Sequence, residues 1–220
     1  MSADQAEGLR RRSTRQPLRC IHCFFDAPES TVNLAQALHR RGWTSLLVDA
    51  CGHVWADSPT RSLFDWRQQI ARGQLHTLPM PYGGGWHAPG MRGDEPALTV
   101  AAQGYDCLLI DAGPDAADWM PLPGAAQTFI LEANATHASM LHGYALLKTL
   151  SSLDGLAAIG LLGDAGACAR LQAACDQFLE PSFCRTLYSV AGEDDAFAAL
   201  AVRMTSEETG LAARDITGNT

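Results

Sequence analysis

From residue 18 onward, short apolar runs alternate with stretches of helical period. LRCIHCFF (18–25) predicts a strand, and STVNLAQALHRRG (30–42) predicts a helix with Ser30 as its cap, Val32, Ala35 and Leu38 on one face, and Gly42 as its stop. TSLLVDA (44–50) predicts a buried strand. A more irregular region follows from 51 to 104, with a short helix near 63–71, the run LHTLPM and the turn-rich PYGGGWHAPG. The second half is regular again. It holds strands in GYDCLLIDAGP (104–114), TFILEA (128–133), LAAIGLL (156–162) and TLYSV (186–190), with helices around 139–150, 165–179 and 194–204. Strands this continuously apolar, alternating with helices, predict a three-layer α/β fold: a mostly parallel, twisted sheet with helices on both faces.

Length and composition set bounds on this picture. A chain of 220 residues that is 47% apolar is large enough for one well-buried domain. The pattern divides it into an N-terminal arm (1–16), an α/β domain (17–205) and a frayed tail (206–220). No run reaches the length of a membrane-spanning helix, and no apolar signal core follows the first arginines, so the expected location is the cytoplasm. Seven scattered cysteines suit a reducing compartment. Cys20 and Cys23 form a CxxC, but within a strand positions three apart face opposite ways, so no metal site is expected there.

Charge is unevenly placed. Residues 1–19 hold five arginines against Asp4 and Glu7, net +3, so the remainder of a chain of net −8 carries −11. An acidic body argues against nucleic acid as a partner. Fifteen of the sixteen cations are arginines, and Lys148 is the single lysine.

In sheets of this kind ligands bind beyond the carboxyl ends of the strands, which makes the first strand-to-helix loop, DAPEST (26–31), the informative one. A phosphate-binding loop needs glycines and a lysine. This loop has neither, and it brings in Asp26 and Glu29 instead.

Its surroundings nevertheless resemble a known pattern. STVNLAQALHRRGWTSLLVDA is similar to the helix and second strand of the MinD/ParA group of P-loop ATPases. GYDCLLIDAGP resembles that group's Walker B strand, and HGYALLKTL (142–150) its DAYALIK helix. RSLFDW (61–66) and LHTLPMPYGGG (75–85) follow the group's order, so the resemblance runs over about 18–190. It implies a P-loop NTPase fold. The departures imply a body that does not hydrolyse ATP, although weak ATP–Mg²⁺ binding stays open. The glycine-rich loop is lost, Cys51 replaces an aspartate, Thr136 falls near a usual glutamate, His142 replaces an aspartate, and LLGD (161–164) replaces an adenine-reading strand end. Asp49 and Asp111 remain as vestigial cofactor-site carboxylates, with no metal expected.

Within that group the FlhG branch of flagellar regulators carries an N-terminal DQAxxLR element, and DQAEGLR (4–10) agrees with it at every fixed position. The resemblance implies a short helix that docks on the flagellar signal-recognition-type GTPase FlhF. Asp4, Gln5, Ala6, Leu9 and Arg10 would make the contact, and Gln5 would stand beside the partner's catalytic water. Asp4 and Glu7 suit the start of such a helix and Arg10 to Arg12 its end, while Gly8 costs roughly 0.8–1 kcal/mol of helix propensity. So short a helix folds mainly on a partner. Membrane contact is expected to be at most indirect: the stripe Phe197, Leu200, Ala201 and Met204 is flanked by Glu193, Asp194, Asp195, Glu207 and Glu208, so it should dock on the body. Two alternatives stay open. One is an ATPase of the same group serving cellulose secretion or partitioning; the other is an inert scaffold with an incidental arm. Oligomeric state is not legible.

Overall fold

The computed structural model describes residues 18–49, 77–79, 102, 104–113, 127–153 and 156–216, without side-chain detail at 28, 77–79, 157 and 207–216. Seven strands, β1 (Arg19–Phe24), β2 (Ser45–Asp49), β3 (Thr77–Pro79), β4 (Cys107–Asp111), β5 (Gln127–Ala133), β6 (Leu156–Gly163) and β7 (Leu187–Ser189), form one sheet in the order β3-β2-β4-β1-β5-β6-β7. Every pairing in it is parallel. The helices are α1 (Pro28–Arg40), α2 (His137–Leu150), α3 (Ala165–Phe178), the single turn α4 (Pro181–Cys184) and α5 (Ala196–Ile216).

Alternation along the strands feeds two separate cores. On one face Ile21, Cys23, Leu109, Ile130 and Leu162 pack against Leu34, Ala37 and Leu38 of α1 and Leu200, Ala201 and Met204 of α5. On the other, Phe24, Phe129, Leu131, Ile159 and Leu161 pack against α2 and α3. Burying strands on both faces explains why they read as continuous apolar runs.

The first helix starts earlier than Ser30. Ala27 is extended, and Pro28 takes a first-turn position, where its fixed φ and missing N–H are an advantage. Ser30 therefore lies inside the helix, buried, with its N–H bonded to the Ala27 carbonyl at 3.0 Å. The expected face is also displaced: Leu34, Ala37 and Leu38 are buried, and Val32 and Ala35 are only partly so. Gly42 does end the turn, with φ 82°. The last helix runs on past residue 206 to Ile216, where a tail was expected.

The apolar stripe of α5 docks on the body as anticipated. Leu200 and Ala201 are fully buried, and Phe197 meets Phe25 edge-on at 6.2 Å. Arginines fasten the helix from outside its core: Arg19 donates to the Met204 carbonyl (3.3 Å) while lying over Trp43, and Arg41 donates to Thr205 Oγ1 (3.4 Å). The short helix near 63–71, the GGGW turn, Cys51 and the arm 1–16 lie outside the described residues.

Candidate functional site: the carboxyl edge of the sheet

Strand order places the crevice. The chain leaves β1 through α1 toward β2 on one side and leaves β5 through α2 toward β6 on the other, so the connections diverge between neighbouring strands β1 and β5. That divergence is where open α/β sheets bind ligands.

Here the crevice is laced shut by the chain itself. The Asp26 N–H donates to Glu132 Oε2 at 3.0 Å, and Asn134 Nδ2 donates to Asp26 Oδ2 at 2.9 Å. The Asn134 N–H donates to Ser139 Oγ (3.0 Å), and Asn134 Oδ1 accepts from the Thr136 N–H (3.0 Å) and from its hydroxyl. Thr136 caps α2 by accepting from the Ser139 N–H at 3.2 Å. The loop after β1 is thus fixed to the end of β5 by reciprocal contacts.

Electrostatically the crevice is anionic. Half-burial pushes the Glu132 carboxyl above the usual carboxylate range; the Asp26 N–H works against this, and the charges of Asp26 and Glu29 add to it. Glu29 sits in the first turn of α1, where the free N–H groups of a helix would otherwise attract an anion. Lys148 lies in the last turn of α2, remote from the crevice at that helix's start.

The two vestigial carboxylates are brought together. Asp49 is in register with Asp111, and Asp111 with Cys23, so all three lie in one row on the α1 face at the strand ends. Asp49 is 0% and Asp111 1% exposed. Burial, then the charge of Asp111, pushes the Cys23 thiol well up, which keeps it protonated. No group of three metal-ligating side chains occurs among the described residues. None of the six described cysteines is in a disulfide.

The other residues singled out in the sequence lie elsewhere. Asp164 of LLGD caps α3 by accepting from the Ala167 N–H at 2.7 Å, after Gly163 turns the chain at φ 101°. His142 is half-buried in the second turn of α2. Asp4, Gln5, Ala6, Leu9 and Arg10 fall outside the described residues. Glu132 and Asn134, which hold the crevice together, were not anticipated. The available signal was the polar pair interrupting ILEAN at the end of a buried strand.

The sequence matches no family model and no curated protein. Among solved structures, the chain is similar to the crystal structure of a ParA family ATPase from Chlorobium tepidum TLS. The identity is 13%, the TM-score 0.47, and the match covers 84% of this chain and 92% of that one. A likeness at that level implies nothing about activity. Among the described residues no helix is long and apolar enough to cross a membrane.

Proposed function

We propose that this chain is a divergent, FlhG-like regulator of flagellar number or placement, which binds the flagellar signal-recognition-type GTPase FlhF and stimulates its GTP hydrolysis. The observation that carries this is the agreement of DQAEGLR with DQAxxLR at all five fixed positions, ahead of a parallel α/β body. Asp4, Gln5, Ala6, Leu9 and Arg10 form the contact. Leu9 supplies the apolar anchor, and Gln5, a neutral donor and acceptor, orients the attacking water in the partner's site without competing for its proton.

In this reading the body is a pseudo-ATPase that needs no cofactor. The crevice supports that: Asp26, Glu29 and Glu132 stand where a polyphosphate would have to sit, and no glycine-rich loop or lysine is there to receive one. The protein works in the cytoplasm and reaches the cell pole or flagellar base through its partner.

GTP turnover by FlhF, measured with and without a peptide of residues 1–20, tests the proposal. Stimulation that disappears with Gln5→Ala is expected, and Leu9→Ala should weaken docking itself. A peptide that leaves turnover unchanged would overturn it. The buried pairing of Asp49 with Asp111 favours a second reading, an ATPase of the MinD/ParA group from another system. Thermal protection of the chain by ATP with Mg²⁺ would support that reading, and its absence would count against it.

A further inference from the structure

Three large apolar side chains are exposed among the described residues, and two of them share one surface: Leu141 on α2 (63%) and Phe178 at the end of α3 (65%). Tyr144, one turn along α2 from Leu141, meets Phe178 edge-on at 6.5 Å, which joins them into a patch across both helices. The patch lies on the outside of the layer whose inner side covers β5 and β6.

Beside it runs the exposed stripe of α3: Ala169, Arg170, Ala173, Asp176 and Gln177. This order is its own complement. About Ala173, Arg170 mirrors Asp176 and Ala169 mirrors Gln177. Two copies of α3 laid antiparallel on a twofold axis at Ala173 would place each Arg170 opposite the partner's Asp176, and the small Ala173 side chains would allow close approach. Arg40 pairs with Asp195 at 3.9 Å, apart from this stripe, and within one copy Asp176 faces the Cys184 thiol.

We propose that the α2–α3 face is an isologous interface between two copies of this chain. The charge pattern selects a second copy as occupant, because it is complementary to itself. The remaining balance of charge agrees: the body is strongly acidic, but Lys148, Arg170 and Asp176 are the exposed formal charges on these two helices, so two copies meet little net repulsion along them. Leu141, Tyr144 and Phe178 supply the apolar area flanking the axis.

Sedimentation velocity on the full chain over a range of concentrations is the test. A reversible monomer–dimer equilibrium is expected. Arg170→Asp and Asp176→Arg should each weaken it by roughly tenfold or more, since each places like charges together twice across the axis. Mixing the two variants in equal amounts should restore association, because every contact then regains opposite charges. Leu141→Glu should also weaken the dimer with the circular dichroism spectrum unchanged, its side chain being exposed in the monomer. A chain that stays monomeric at all concentrations, a dimer indifferent to Arg170→Asp, or a mixture of variants that fails to associate would each overturn the proposal.

Discussion

The two faces of the sheet are built from alternate residues of the same strands, yet they handle polar groups differently. Under α1 and α5 the two buried carboxylates, Asp49 and Asp111, lie at the carboxyl ends of the strands, beside the crevice. Under α2 and α3 a buried imidazole, that of His22, is set in mid-strand. It is fully buried, stacked on Phe129 at 4.6 Å with Cys20 Sγ 3.4 Å from its Nε2, and Gln127 at the start of β5 is buried on the same face. The first face sets its two carboxylates at the strand ends, while the second packs an imidazole in mid-strand and leaves apolar side chains outside. The direction in which a strand residue points decides which of these two environments it enters.

The largest effects should come from emptying either core. Leu200→Ala on the α5 side and Leu171→Ala on the α3 side remove fully buried side chains, and each should cost about 2–5 kcal/mol in urea denaturation. Val202→Ala, on the exposed side of α5, should change stability by less than ~0.5 kcal/mol. Equal losses at Leu200 and Leu171 would mean that both faces hold the fold equally; a much smaller loss at Leu200 would mean that α5 is only loosely attached.

His22 gives the α2–α3 face a pH dependence of its own. Burial pushes the imidazole down to about 4 from an ordinary 6.5, so as pH falls the unfolded chain takes up the proton first. Stability from a neutral His22 is complete above about pH 6.5 and is lost as pH falls toward 4, by up to ~3 kcal/mol. His22→Leu should flatten that window in denaturation curves taken between these pH values. An unchanged slope would show that other groups set the acid limit.

At the strand ends the effects shrink. Gly163 has φ 101°, and a Cβ there would lie 2.4 Å from the Ala133 carbonyl oxygen, so Gly163→Ala should cost roughly 1–3 kcal/mol. Gly160, in mid-strand, would press its Cβ against the flexible ends of Ile130 and Leu200 at 2.9 Å, and Gly160→Ala should be the milder change. Thermal melts of the two variants rank them directly.

The smallest change belongs to the crevice. Glu132 is held with a raised pKa, so its ionised form opposes folding at neutral pH, and that penalty fades as pH falls and the carboxyl protonates. Glu132→Gln keeps an acceptor for the Asp26 N–H and should raise stability at pH 7 by no more than ~1 kcal/mol, the group being half exposed. The gain should vanish under acid conditions, and a gain that persisted there would assign the effect to packing.

Much of this molecule was legible in order and period. Apolar runs such as SLLVD and CLLID announce strands buried on both faces, and a parallel sheet follows because helices must separate them. The missing glycines and lysine of DAPEST, the acidic body and the DQAEGLR segment are also properties of the chain alone, since composition and local spacing do not depend on the fold. The start of α1 was misplaced because Ser30 is a good cap, but Pro28 two residues earlier is a better first-turn residue, and the two signals compete locally. Tertiary structure decided what distant residues do to one another. Asp26 meets Glu132 and Asn134, Asp49 lies beside Asp111, and Leu141 reaches Phe178 through Tyr144, only because crossovers set β1 between β4 and β5 and lay α2 against α3. Sequence period fixes which way a side chain points; strand order and helix packing fix what it finds there.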